Sequence, residues 1–221
     1  MSARKLTRSY LHAPGKLPFI GRTVGQQLYK AADEYKDKDM YVFYADNERI
    51  TFAEMKDKSQ QFACSLLSIG IEKGDRLAVW GANHKEWLYA TFACAQLGVI
   101  LVQLRLEFPL ITNQEILKKM NCKVLLLTRS PHDILDKACE IIPTLKTNDK
   151  SNLDCSSLPD LKYVIRSDNN TKASGTYSLT EFLQLGGENL RKNVEDICWT
   201  IDMDDPCLVY YTSKMDQEEY A

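Results

Sequence analysis

Four short apolar runs, at residues 77–80, 99–102, 124–127 and 163–165, are separated by stretches with helical spacing, and this alternation constrains the chain most. Strands that alternate with helices join by crossovers and build a largely parallel sheet flanked by helices, an α/β architecture. The first intervening helix is predicted over residues 52–69. Thr51 and Glu54 have capping-box spacing, Phe52, Met55, Phe62, Ala63, Leu66 and Leu67 recur at three- and four-residue steps, and Gly70 supplies a stop. Ahead of it, residues 41–44 and 49–51 flank Asp46-Asn47 and predict a small N-terminal hairpin.

Beyond the strand at 77–80, Gly81 ends the run and Asn83 is the expected N-cap of a helix. That helix carries Trp87, Ala90, Thr91, Cys94 and Leu97 on one stripe and stops at Gly98. A further helix contains Ile116 and Leu117, and another spans 134–142 before Pro143. The polar stretch 144–159 reads as a mobile surface loop. Ser178 and Glu181 form a second capping box that opens a short helix ending near Gly186-Gly187. Residues 207–211, Cys-Leu-Val-Tyr-Tyr, give a last strand signal.

The 221 residues suit one domain, or part of a larger one, at about 150 residues per domain. A net charge of −2 gives no global field for nucleic acid or anionic lipid. The charge is uneven, because residues 1–32 hold six basic and no acidic side chains, leaving 22 basic against 30 acidic residues elsewhere. This is a basic leader, taken as residues 1–22, on an acidic body. Its Arg4, Arg8, Ser2 and Ser9 suit mitochondrial targeting, with a cytoplasmic location as the other reading. No apolar run reaches the roughly 20 residues of a transmembrane helix, and no secretory block opens the chain, so a soluble intracellular protein is expected. Seven cysteines without a Cys-x-x-Cys pair read as small reduced core residues, not as a disulfide or zinc framework.

Asp205-Pro206-Cys207-Leu208-Val209-Tyr210-Tyr211-Thr212-Ser213 resembles the approach to the phosphate-binding loop of adenylate-forming enzymes. A wider set of landmarks resembles the N-terminal region of AMP-forming fatty acyl-CoA synthetases, in particular their mitochondrial medium-chain ligases. It comprises Thr23-Val24-Gly25-Gln26, Ile50-Thr51-Phe52-Ala53, Leu66 to Gly70, Lys73 to Leu77, Trp80 to Asn83, Leu117-Lys118-Lys119 and Cys122-Lys123. The resemblance implies a partial N-terminal AMP-binding domain over residues 23–213, with residues 214–221 a divergent tail. For an entire family member it implies activation of a fatty acid by ATP and Mg to an acyl-adenylate, then transfer to CoA.

In the family a glycine-rich turn follows, whose backbone N–H groups converge on ATP phosphates. Thr212 and Ser213 match its first two positions and are the cofactor-binding candidates. Lys214, Met215, Asp216 and Gln217 then replace glycine, two threonines and glycine. Met215 resists positive φ, while Asp216, Glu218 and Glu219 repel phosphate. No residue is assigned as a catalytic base, nucleophile, adenylation lysine or metal ligand, and the chain alone is expected to be inactive. A second departure is Arg105-Leu106 with Phe108, where the family has an Asn-Pro turn, with Pro109 as a substitute bend. The alternative reading is a noncatalytic module that associates with a full-length synthetase through an uncovered sheet edge at 207–211. Asp75 and Arg76 are expected to pair or cap, Trp80 to fill the core and Trp87 to belong to helix core. His84 reads as a surface group at a helix start, His12 and His132 as isolated, and the sequon Asn169-Asn170-Thr171 as unused.

Overall fold

The computed structural model describes residues 15–16, 19–130, 134–151, 153–168 and 173–212. Ser213, the tail, most of the basic leader, His12, His132 and the sequon at 169–171 lie outside the described residues.

Helix α1 (Val24–Glu34) precedes a hairpin of β1 (Asp39–Phe43) and β2 (Glu48–Thr51), paired antiparallel. Asn47 at φ 50 takes the left-handed position at its tip. Helix α2 (Phe52–Ser68) follows directly, with the Thr51–Glu54 capping box formed in both directions. The chain continues through β3 (Arg76–Trp80), α3 (Lys85–Leu97), β4 (Ile100–Leu104), α4 (Leu110–Lys119), β5 (Val124–Leu127) and α5 (Ile134–Ile141). It ends with β6 (Tyr163–Arg166), β7 (Tyr177–Ser178), α6 (Leu179–Leu183), α7 (Arg191–Thr200) and β8 (Leu208–Val209). The sheet order is β7-β6-β5-β3-β4-β8, and every pairing is parallel.

Successive strand residues feed opposite layers. Ala78, Trp80, Val102, Leu104, Leu125, Leu127 and Val164 pack with Ile116, Leu117, Leu135 and Ala138 of α4 and α5. Leu77, Val79, Leu101, Leu126 and Ile165 pack with Phe62, Leu66, Ala90, Ala93 and Leu97 of α2 and α3. Phe182 of α6 joins that second layer with its ring 5.0 Å from that of Phe62.

Helix α1 turns Leu28, Tyr29 and Ala32 inward and α7 turns Val194 and Cys198 inward, and buried polar groups add to their docking. Gln26 donates from Nε2 to the Cys198 and Ile201 carbonyls at 3.0 and 3.2 Å. Gln60 donates to Tyr29 Oη at 3.0 Å and to the Arg191 carbonyl at 3.2 Å, and Tyr29 donates to Gln96 Oε1 at 3.2 Å. Gly25 is demanded by contact, since a Cβ there would stand 2.6 Å from the Ala95 carbonyl oxygen.

Several expectations are corrected. Asn83 is exposed and does not cap α3; His84 occupies the N-cap without a side-chain cap bond. The helix starts later because the Ala82 N–H donates to the Arg129 carbonyl, keeping the chain on the sheet end. The 144–159 stretch is pinned, with Leu145, Leu153, Cys155 and Leu158 buried in the α4–α5 layer. Helix α6 stops at Leu183. The last strand is two residues long rather than five. As expected, Asp75 pairs and caps, with Lys123 at 2.7 Å and the Glu72 N–H donating to its Oδ2, while Arg76 donates to the Asn121 and Gly74 carbonyls. Trp80 is buried as expected; Trp87 is half-buried.

None of the seven cysteines forms a disulfide; six are buried and Cys207 is exposed. Burial pushes the Cys122 and Cys198 thiols up to about 12, Cys198 with a further contribution from Glu195, and raises Cys94 as well. Because the thiolate is the reactive form, a disulfide reagent at pH 8 is expected to modify one thiol rapidly in the native chain and the other six only on unfolding. Rapid modification of more than one native thiol would contradict this packing.

Candidate functional site at the carboxyl end of the sheet

In open parallel sheets, ligands bind in the crevice outside the carboxyl ends of the strands. Here that end holds a cavity of about 480 Å³ between β3, β4 and β8, walled by residues 81–83, 103–107 and 210–212. Thr212 is exposed on its rim, three residues beyond Val209, where the pairing with Val102 ends. The structure therefore brings Thr212 to the crevice; Ser213 lies outside the described residues.

The β3 wall is rigid. Gly81 has φ +147, and a Cβ there would meet Thr128 Oγ1 at 2.2 Å and the Thr128 carbonyl oxygen at 2.4 Å. The Thr128 hydroxyl donates to the Ala82 carbonyl at 2.8 Å, and its N–H donates to the Trp80 carbonyl at 3.0 Å. Only glycine lets the β3 and β5 ends approach this closely.

The β4 wall is this chain's departure from the Asn-Pro turn. Buried Asn113, in the first turn of α4, donates from Nδ2 to the Arg105 carbonyl at 2.9 Å. Pro109 is the N-cap residue of α4, so it supplies the expected bend. The Arg105 guanidinium lies 5.4 Å from the Phe108 ring centre and donates from Nε to Glu107 at 3.4 Å. The Glu107 carboxyl is held below the usual range by a backbone N–H bond and by Arg105. Gln103 Oε1 is buried without a hydrogen-bond partner among the described residues.

These groups offer a hydroxyl, a guanidinium and amide oxygens, a set suited to hydrogen-bonding a polar or anionic ligand. Among the described residues, no group of three His, Cys, Asp or Glu side chains could hold a metal ion. His84 stands at the start of α3, half-buried, with Nδ1 3.8 Å from Asp46. Thr212 stands in a motif; Gln103 and Asn113 do not, because Gln103 reaches the wall through strand register and Asn113 reaches the Arg105 carbonyl through helix placement.

A second cavity, of about 880 Å³, lies beyond the carboxyl end of β6. Its buried Arg166 is already engaged, donating to Thr176 Oγ1 at 2.6 Å and to Asp168 at 2.7 Å.

An AMP-binding enzyme family model matches residues 28–213, and the chain belongs to that family. Medium-chain acyl-CoA ligase ACSF2, mitochondrial, from Danio rerio is 32% identical over 213 residues, covering 94% of this chain and 34% of that protein. The Homo sapiens protein of the same name is 30% identical over 213 residues, covering 93% and 34%. The chain thus spans about a third of the length of these relatives. Among solved structures, anthranilate CoA ligase AuaEII in complex with anthranoyl-AMP superposes with a TM-score of 0.66 at 17% identity, over 90% of this chain and 33% of that one. The N-terminal domain of FACL13 from Mycobacterium tuberculosis gives 0.57 at 17%, over 87% and 42%. The fold is that of the N-terminal part of adenylate-forming ligases.

Replacing Gly81 with Ala is expected to destabilise the chain by about 2 kcal/mol or more in urea unfolding. Adding Thr128→Ala should recover only part of this, because the Thr128 backbone carbonyl remains in the way. A neutral Gly81→Ala would contradict the close β3–β5 approach.

Proposed function

We propose that this chain forms the N-terminal scaffold of an AMP-forming medium-chain acyl-CoA ligase of the mitochondrion. The observation that carries this reading is the position of Thr212, three residues past β8 on the rim of the carboxyl-end crevice, in a chain of the AMP-binding enzyme family. In the proposed reaction a fatty acid carboxylate attacks the α-phosphate of ATP, giving acyl-adenylate and pyrophosphate. The CoA thiol then attacks the acyl carbon and AMP leaves. The chain's own share is to donate hydrogen bonds from Thr212 and Ser213 to the phosphates, where charge builds up in the transition state. No residue of this chain is assigned to magnesium, which is bound mainly through substrate phosphates and one or two carboxylates.

In this reading residues 1–22 are a leader, 23–213 a partial AMP-binding domain and 214–221 a divergent tail. Lys214 to Gln217 supply no glycine for the phosphate turn, and Asp216 opposes the ligand's charge. The 221 residues by themselves are therefore inactive as a ligase. With ATP, Mg, CoA and octanoate, the chain is expected to release no pyrophosphate above background. A chimera carrying residues 1–212 in place of the matching part of zebrafish ACSF2 should form octanoyl-CoA, and Thr212→Ala should lower its kcat/KM by about tenfold to a hundredfold. Turnover by the chain alone, lost on changing Thr212 and Ser213, would overturn the inactivity. A folded chimera without adenylate formation would overturn the ligase reading.

The open edge of the sheet favours a second reading, association with a full-length synthetase. No described strand pairs with the outer side of β8, and Leu208 and Tyr210 are 39% and 61% exposed. Co-sedimentation with intact ACSF2, weakened by Leu208→Lys, is the result this reading expects; sedimentation of both as separate species would exclude it.

A further inference from the structure

Strand β8 reaches the crevice on very little pairing. Its ladder to β4 has only two residue pairs, Leu101 with Leu208 and Val102 with Val209, plus the Leu101 N–H donated to the Cys207 carbonyl at 2.9 Å. An isolated two-residue edge strand has many competing registers and a low opening cost. Val209 and Tyr211 pack against the α4–α5 layer, and a second hold stands just upstream.

The turn before β8 closes on itself through Asp205, whose Oδ2 accepts the Asp202 N–H at 2.8 Å and whose own N–H donates to the Asp202 carbonyl at 3.2 Å. The same Oδ2 lies 2.5 Å from Lys73 Nζ. Lys73 comes from the turn leading into β3, at the amino end of the sheet. Its stem lies over Gly98, where an added Cβ would approach Lys73 Cγ to 2.9 Å and Ile201 Cδ1 to 3.5 Å. Gly98, at φ +66, is the C-cap of α3 and its carbonyl accepts the Gly74 N–H at 2.9 Å. The ammonium thus ties three segments at one point: the turn into β3, the α3 C-terminus and the turn into β8. Lys73 and an Asp202 N–H bond hold the Asp205 carboxyl below its ordinary range, consistent with a formed pair. Arg22 lines a small cavity together with Asp202 and Asp205.

We propose that Lys73 is a positioning residue: its ion pair with Asp205 sets the register of β8 and so holds Thr212 on the crevice rim. This rests on the reading of Thr212 as the opening of the phosphate site. Lys73 touches neither the crevice nor any ligand there; it acts through β8.

Two neighbouring amides separate this role from general stability. The Leu101 N–H faces β8, whereas the Ile100 N–H donates to the Asp75 carbonyl at 2.8 Å and reports the β3 side. Residue-resolved hydrogen exchange on the full 221-residue chain should show Leu101 exchanging about threefold faster or more in Lys73→Ala. Ile100 should be unchanged. Asp205→Asn, which keeps an oxygen for the Asp202 N–H but loses the charge, should do the same, and Lys73→Arg should retain the original rate. Unchanged Leu101 exchange in Lys73→Ala, or equal acceleration of Leu101 and Ile100, would overturn the proposal. No nucleotide or acyl substrate enters the measurement, so its failure would leave the ligase reading standing, and an inactive chimera would leave the clamp standing.

Discussion

The two-sided burial of the central strand is the constraint from which the rest of the structure follows. Val79 and Trp80 are neighbours on β3 and are both buried, one in the layer of α2 and α3 and the other in that of α4 and α5. A parallel strand with apolar residues on both faces has to be covered on both, and helices from the crossover connections do this. The crossovers leave the carboxyl ends of β3 and β4 as the place where loops gather. Gly81 then lets the β3 end lie against Thr128, so the floor of the crevice is as fixed as the core beneath it.

This arrangement separates rigid from weakly held parts. The crevice walls from β3 and β4 continue core strands, while the third wall, with Thr212, hangs on a two-residue edge strand. Such an edge is inexpensive to displace, and position there has to come from contacts outside the ladder. The Lys73–Asp205 pair supplies one such contact from the opposite end of the sheet. Scaffold residues in the landmarks that first suggested the family therefore bear on the site without lining it.

Much of the fold was legible in the sequence because local and global preferences agree. The Thr51–Glu54 box and the apolar steps after it set α2, and the run at 124–127 matches β5 in both of its bounds. Helix α1 escaped notice although Thr23 and Gln26 form a capping box and Leu28, Tyr29 and Ala32 share its buried face, since Gly25 and two glutamines occupy its first turn. Helix α7 buries only Val194 and Cys198, and its docking depends on Gln26 and Gln60, 172 and 131 residues away from their carbonyl partners. Hydrogen bonds at such sequence separation leave no local trace in the sequence. The same holds for the site: Thr212 stands in a motif, whereas Gln103 and Asn113 gain their places from strand register and helix packing.

In the proposed function the crevice beside Thr212 takes nucleotide phosphates, and Lys214 to Gln217 interrupt the turn that would hold them. The most direct measurement is an ATP titration of the isotope-labelled chain by NMR, before and after the combined changes Lys214→Gly, Met215→Thr, Asp216→Thr and Gln217→Gly. The account predicts binding that is at least about tenfold tighter in the changed chain, with shifts concentrated at Thr212, residues 81–83 and Gln103. Equal affinity in both chains, or shifts centred on the Arg166 cavity, would contradict it.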